Sequence, residues 1–505
     1  MNFMKALENE MNVSYTENGM KGYKTTNNEL VDFNFALAGF RSLEDEDLVL
    51  RVKKLFADKN LSVDTLLRYM FFVRDVREGM GERKVFKVMF KELALKYPYI
   101  AKAFIPYVAE YGRWDDLFIL AETSLKVAMF AYLDKQLKED WAHMKAGEPI
   151  SLLAKWMPSV NSGRKARKLA LSYINILDYR ASEYRKQLKE MRKYLDIVEQ
   201  HITNSDYETI KYESVPSNAN KRYANLFLHR DYERRKAYLD NLAKGEVKVN
   251  ASVLYPHEVI GMVRKYLHTP NRQLCDGLWK NLKDYEGAEN TLVVADVSGS
   301  MYWDGGKILP IDCSVGLGMY FAQRAKSEAF KGKIMTFSDN PKLVDVSAFN
   351  DICDAYQWMI NEMPWAGSTN IQAVFELVLK TAVTNELKQE EIPNILIISD
   401  MEFNHCAGGL GYGFEAIKEK YAYYGYKLPK LIFWNVASRT NTIPCITNDL
   451  GVVLISGYSP AAIKAAVGGA FDPLQALYDC LYVKRYDFVS KVLVEVVENA
   501  FVKKL

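Results

Sequence analysis

The stretch Thr291–Ser300, TLVVADVSGS, constrains the fold more than any other part of the chain. It begins as a continuous apolar run, Leu292-Val293-Val294-Ala295, with no alternation to mark a solvent face. Such a run is expected of a strand covered on both sides. It ends in Asp296-x-Ser298-x-Ser300, which sets a carboxylate and two hydroxyls at alternate positions where strand gives way to loop. These are hard oxygen donors of the kind Mg²⁺ or Mn²⁺ prefers. Turns are rich in Asp, Ser and Gly, so the short motif is weak alone. Two later stretches strengthen it. Gly367-Ser368-Thr369-Asn370 opens a helical pattern, and Asn394–Asp400 is a second apolar strand ending in a carboxylate. The competing reading is two capped helices and a polar turn with no metal, which needs three separated elements to agree by accident.

Asp296, Ser298, Ser300, Thr369 and Asp400 resemble, in order and spacing, the metal-ion-dependent adhesion site of von Willebrand factor A domains. The resemblance implies that Ser298, Ser300 and Thr369 bind Mg²⁺ (or Mn²⁺) directly. It implies that Asp296 and Asp400 act directly or through water, and that one coordination position stays open for an acidic group of a protein partner. Elementary chemistry agrees, since open α/β sheets place sites at the carboxyl ends of their strands.

The rest of residues 291–505 alternates strand and helix, which predicts a doubly wound, mostly parallel sheet. Strands are expected at 291–296, 332–337, 343–346, 394–399, 430–436 and 451–456. Met301–Gly306 is expected to form the loop over the metal, with Tyr302 and Trp303 at its rim and Asp304 facing water. His405 and Cys406 follow Asp400 closely, but adjacent His and Cys side chains do not easily reach one ion, so a plain loop is expected there.

Residues 31–290 carry a helical pattern almost throughout. Val85, Phe86, Met89, Phe90 and Leu93 fall on one helical face, with Lys84, Lys87 and Lys91 elsewhere. Helix after helix with short joins suggests an all-α helical-repeat array, HEAT-like in character, although no fixed period is visible. The expected organisation is therefore a polar segment at 1–30, a helical domain at 31–290 and an α/β domain at 291–470. Terminal helices at 471–505 are expected to pack back on the helical half. Thr25–Asn28 reads as a loop or a helix cap.

Four stretches of the helical half stand out. Arg74-Asp75-Val76-Arg77-Glu78-Gly79-Met80-Gly81-Glu82-Arg83 crowds three arginines around a glycine-broken turn, for which salt-bridged caps are the stronger local reading. Tyr111-Gly112-Arg113-Trp114-Asp115-Asp116-Leu117 reads as a turn entering a helix, with Trp114 as a packing anchor. Trp156–Lys168 runs from a Ser/Asn/Gly loop into a basic helix with Arg164, Lys165, Arg167 and Lys168 in its first turns, an arrangement suited to phosphate. Val215–Tyr223 repeats that chemistry with Lys221 and Arg222. Arg74, Arg77, Arg83, Arg164, Lys165, Arg167, Lys168, Lys221 and Arg222 are the candidate RNA-contacting residues.

The motifs around Arg74–Arg83 and Tyr111–Leu117 are similar to counterparts in the helical TROVE module of Ro ribonucleoprotein autoantigens. In that family a ring of helical repeats precedes a von Willebrand factor A domain. A nearer likeness is to a family of microbial, plant and phage proteins known only as a domain of unknown function, whose members share the Pro-Ser-Val-Asn-Ser-Gly-Arg and Val-Pro-Ser-x-Ala segments. The Ro resemblance implies binding of small structured RNAs and single-stranded RNA ends. It covers short motifs only, so the family's individual RNA contacts do not transfer.

Charge is uneven along the chain. Residues 291–505 hold 19 Lys+Arg against 23 Asp+Glu, whereas the preceding 290 residues hold 47 against 40. Within residues 151–193 there are eleven basic and three acidic side chains, enough for a phosphate-facing surface or a solvated helix face. The six cysteines form no Cys-x-x-Cys and are absent from the first half, which suggests a reduced, cytoplasmic setting. No apolar run is long enough for a membrane span, and the N-terminus lacks a signal-peptide core. A phosphate loop and a Gly-x-Ser-x-Gly elbow are absent, and the histidines are scattered. The leading expectation is a non-enzymatic RNA-binding scaffold, monomeric, with a Mg²⁺-dependent docking site. The alternatives are a purely protein-binding scaffold and a metal-dependent nuclease.

Overall fold

The computed structural model describes residues 12–285, 290–302, 308–325, 327–337, 340–362, 370–404, 413–444, 451–467 and 472–502. Its strands in chain order are β1 (Val13–Tyr15), β2 (Lys21–Tyr23), β3 (Thr291–Ala295), β4 (Lys333–Thr336), β5 (Leu343–Asp345), β6 (Asn394–Ser399), β7 (Leu431–Asn435) and β8 (Val452–Ser456). All six strands expected in the C-terminal half are present. They form one sheet in the order β5-β4-β3-β6-β7-β8, parallel except for the β4–β5 pair. The fold class is an all-α region together with a doubly wound α/β sheet.

The unbroken apolar runs follow from cover on both faces. Leu292 and Val294 join a core cluster with Ile371, Val374, Phe375 and Val378 of the helix Ile371–Thr384. Val293 and Ala295 face the helix Pro310–Gln323, where Gly318 lets the helix approach so closely that an added Cβ would lie 3.2 Å from the Ala295 Cβ.

That helix, Pro310–Gln323, explains where the units divide. Residues 310–322 are all buried, so it is enclosed on every side and requires cover opposite the sheet. The helix Pro256–Tyr266 supplies it, against Gly316, where a Cβ would stand 2.9 Å from the His257 backbone nitrogen. The chain accordingly separates into one unit of Met1–Glu44, Pro216–Arg222 and Lys236–Tyr482, and a second of Asp45–Val215, Tyr223–Arg235 and Val483–Leu505. The division differs from the expected boundary at 290, because helices that look alike in sequence are drawn to the sheet by this one buried helix. Of the expected terminal segment 471–505, residues up to Tyr482 group with the first unit and the remainder with the second.

Residues 12–30 of the expected polar lead-in, and the first residues of the expected helical domain up to Glu44, group with the sheet unit. The β1–β2 hairpin exchanges backbone hydrogen bonds with Ile443, at 2.8 and 2.9 Å from Tyr23. Gly22 is required there, since a Cβ would meet the Ile443 carbonyl at 2.7 Å. Asn28 caps the helix Glu29–Phe35 by accepting from the Val31 amide at 3.1 Å. Asn435 at the end of β7 donates to the Phe35 carbonyl at 2.8 Å.

The second unit is helical. Phe71, Phe86, Phe104, Tyr111 and Phe488 form its aromatic centre, with Phe71 and Phe488 5.0 Å apart edge to face. Phe488 begins the helix Phe488–Val502, so the last described segment completes the core of a unit that starts at Asp45. Among the described residues no helix is long and apolar enough to cross a membrane.

One buried group makes the sheet unit acid-sensitive. His257 is wholly enclosed near Tyr458, its Nδ1 has no partner among the described residues, and burial pushes its pKa from 6.5 down to about 3. Below pH 6.5 the unfolded chain takes up a proton that folded His257 refuses. Its contribution is therefore complete above pH 6.5 and declines as pH falls toward about 3, by up to about 1.4 kcal/mol per pH unit. We expect denaturant titrations at pH 7.5 and 5 to show a smaller stability difference for His257→Phe than for the unaltered protein.

Candidate metal centre and nucleic-acid interface

Parallel pairing of β3 with β6 brings two strand ends together: Ala295 lies opposite Ile398, and the Asp296 amide donates to the Ile398 carbonyl at 2.9 Å. Asp296 and Asp400 are consequently neighbours, both excluded from solvent. Each is oriented by its own loop. Asp296 accepts from the Ser298 amide at 2.9 Å and from the Ser399 hydroxyl at 2.6 Å. Asp400 accepts from the Glu402 amide at 3.2 Å and from the Ser300 hydroxyl. The Ser298 and Ser300 hydroxyls lie 2.9 Å apart where a short 3-10 turn, Gly299–Tyr302, begins. Met401, in the left-handed region at φ 64°, turns the chain between the carboxylates of Asp400 and Glu402.

The electrostatics disfavour two full negative charges on this pair. Burial raises the Asp296 pKa, and burial together with the Asp296 charge pushes Asp400 up to about 7. Two carboxylates and two hydroxyls converge, a donor set of hard oxygens that fits Mg²⁺ or Mn²⁺. No trio of His, Cys, Asp or Glu suited to a metal occurs among the described residues, and this set has only two such side chains. Thr369, Trp303, Asp304, His405 and Cys406 lie outside the described residues.

Four side chains at this centre carry no signal in the motifs that mark it. Ser399 and Glu402 lie close to Asp400 in sequence, and their nearness to a strand-end carboxylate is a usable clue. Arg439 and Glu17 offer none, because nothing local ties positions 17, 400 and 439. Arg439 Nη2 donates to Asp400 at 3.2 Å and pairs with Glu17 at 2.8 Å.

In the second unit the basic candidates separate into two kinds. Arg74 is buried and donates from Nε to Asp116, itself fully buried, at 2.7 Å. Gly112 leaves room for this pair, since a Cβ would stand 2.6 Å from both partners. Arg83 also bonds Asp115 and Asp116. Burial raises the Asp116 pKa, but Arg74 and Arg83 outweigh it and hold the carboxyl below its usual value. Next in sequence, Asp75 accepts from Arg485 and Tyr486. Arg77 is exposed and donates to the Glu110 carbonyl at 2.7 Å. Arg74 is thus withdrawn from any phosphate-facing surface, and Arg83 is half-buried in the same ion-pair network. The stretches Arg74–Arg83 and Tyr111–Leu117 thus meet each other inside the unit.

Arg164, Lys165, Arg167 and Lys168 behave differently. All four are exposed at the start of the helix Arg164–Ile176, and none has a carboxylate within ion-pair distance among the described residues. Glu122, paired with Lys91, feels Lys165 and Lys168 at longer range. The loop before this helix is pinned from below. Arg192 donates to the Ala154 and Met157 carbonyls and to Ser159 Oγ at 2.7–2.8 Å, and Tyr184 donates to the Pro158 carbonyl at 2.6 Å. Neither residue stands out in the sequence, since both belong to the following helix, Ala181–Tyr194. In the first unit, Lys221 is paired with Glu258 while Arg222 is exposed.

Known proteins resemble this chain at several levels. Residues 290–476 match the family described as domain of unknown function DUF7788, and residues 164–296 match domain of unknown function DUF2828. An uncharacterized protein, L728, of Acanthamoeba polyphaga mimivirus is 29% identical over 539 residues, covering 96% of this chain and 90% of that one. The crystal structure of the Ro (RSR) protein of Deinococcus radiodurans aligns with a TM-score of 0.45 and 12% identity, over 90% of this chain and 98% of that one.

The burial of the Arg74–Asp116 pair sets an expectation for stability. Asp116→Ala strands the Arg74 charge in the interior and should cost about 3–5 kcal/mol of unfolding free energy. Arg83→Ala, at the half-buried edge of the network, leaves Asp116 paired with Arg74 and should cost less, about 1.5 kcal/mol. Denaturation followed by circular dichroism compares the two.

Proposed function

We propose that the protein is a non-enzymatic RNA-binding scaffold that also carries a Mg²⁺-dependent docking site for an acidic group of a protein partner. The observation that carries the RNA half is the set of four exposed cations, Arg164, Lys165, Arg167 and Lys168, at an open helix start. Their charges are unspent, and the pinned loop beneath them fixes their position. Long cations without carboxylate partners suit phosphate better than a buried interface does. The eleven-to-three excess of basic over acidic residues across 151–193 supports an RNA strand as the ligand, small and structured or single-stranded.

The docking half rests on the paired strand-end carboxylates. Asp296, Ser298, Ser300 and Asp400 would hold Mg²⁺, with Thr369 added by the family resemblance. The bound cation would supply an open coordination position for an outside carboxylate. Ser399 and the Ser298 amide keep the Asp296 oxygens directed into the centre, and the Glu402 amide does the same for Asp400. Two carboxylates with hydroxyls make a binding centre more readily than a hydrolytic one, which recruits more acidic ligands.

The RNA half is tested by filter binding across a salt series. Changing Arg164, Lys165, Arg167 and Lys168 to Glu is expected to weaken single-stranded RNA binding at least tenfold. The log–log salt slope should fall by about 0.7 for each phosphate that the variant no longer neutralises. An unchanged affinity and slope would favour a purely protein-binding scaffold. For the docking half, Mg²⁺ at one hundred times its dissociation constant should stabilise the protein by about 2.7 kcal/mol, and Ser298→Ala with Ser300→Ala should remove most of that. Differential scanning calorimetry with and without EDTA measures both.

A further inference from the structure

The metal centre holds a cation of its own. Arg439 follows β7, and its Nη2 is shared between Asp400 Oδ2 at 3.2 Å and Glu17 Oε2 at 2.8 Å. Glu17 sits at the tip of the β1–β2 hairpin, and the tip is held firmly. Thr16 Oγ1 donates to the Phe403 carbonyl at 2.6 Å, Asn18 Nδ2 to the Glu402 carbonyl at 2.6 Å, and the Glu17 amide to Glu402 Oε2 at 2.8 Å. The other Glu402 oxygen accepts from the Arg439 amide at 3.0 Å and the Thr440 amide at 2.9 Å. One buried carboxylate therefore fixes both backbones whose side chains meet beside Asp400. The guanidinium itself is incompletely satisfied: its Nε is buried with no acceptor among the described residues.

We propose that Arg439 is a built-in competitor of the divalent cation for Asp400, and that Glu17 is the carboxylate to which it retreats when the cation binds. The inference rests on reading this centre as a metal site. A divalent ion that takes Asp400 as a ligand, directly or through water, would stand close to the guanidinium now bonded to Asp400 Oδ2, and like charges at that range repel strongly out of water. Cation entry therefore requires Arg439 to release Asp400. Glu17 is already in contact with the same nitrogen, so the transfer needs a side-chain swing and no movement of backbone. Binding of the cation and the hold of the hairpin tip are then linked, each strengthening the other.

The test is Mn²⁺ titration of the full chain by isothermal calorimetry, with electron paramagnetic resonance as a second readout. Arg439→Gln is expected to tighten Mn²⁺ binding roughly tenfold, and Glu17→Gln, which removes the alternative counter-ion, to weaken it roughly fivefold. In the double variant the Glu17 effect should vanish, leaving the affinity of Arg439→Gln alone. Arg439→Lys keeps the charge and should stay nearer the unaltered protein, which covers the case in which Arg439→Gln fails to fold. Mn²⁺ affinity unchanged in Arg439→Gln would overturn the inference while leaving the metal site standing. So would strictly additive effects of the two substitutions, which report only the general field. If neither the unaltered protein nor Arg439→Gln binds Mn²⁺, the metal reading fails, and the competitor fails with it.

Discussion

Parallel pairing of β3 with β6 is the constraint on which the candidate centre depends. Five consecutive register pairs, from Thr291 opposite Asn394 to Ala295 opposite Ile398, place two strand ends level with each other. Each strand runs directly into an aspartate, so the register itself brings two carboxylates into one dry space. A slip of the pairing would move one strand end past the other and separate them. The sheet can hold that register because both its faces are filled, by the helix Ile371–Thr384 on one side and Pro310–Gln323 on the other.

Placing like charges together in a dry site is unfavourable by itself, and the surroundings are arranged to answer it. Hydrogen-bond donors from Ser298, Ser399 and Glu402 reach the two carboxylates, and Arg439 supplies the positive charge. The helical unit solves a similar problem differently. Arg74 and Asp75, adjacent in sequence and opposite in charge, are both buried, and each finds a distant partner, Asp116 and Arg485. In the first case opposite charge is gathered to hold carboxylates that face each other; in the second, each charge is neutralised where it lies.

Much of this is legible in the chain. The six strands announce themselves because a run covered on both faces has no polar alternation to obscure it. Asp296, Ser298, Ser300 and Asp400 are legible because short spacing at strand ends carries their chemistry; Thr369 follows the same logic and lies outside the described residues. The unit boundary is not legible, since the periodicity of Pro256–Tyr266 says that one face is buried and not against what. Arg74 looks like part of a basic turn because its partner Asp116 is 42 residues away, and only the fold shows that the pair is internal. The hairpin at 13–23 is hidden by its short strands, whose stability comes from residues beyond position 400.

The placement of Phe488 and Arg485 has a consequence for how this protein is made. Phe71, Phe104 and Tyr111 meet Phe488, and Asp75 meets Arg485, so a core begun near the N-terminus is closed by residues close to the last described position. A ribosome must translate the entire sheet before the helical unit receives its final aromatic and its counter-ion. The early helices therefore wait on the nascent chain with part of their aromatic surface uncovered, and pairings of such long sequence separation are slow to form. Interrupted synthesis would release a chain with an apolar opening and an uncompensated Asp75, a species well suited to capture by chaperones.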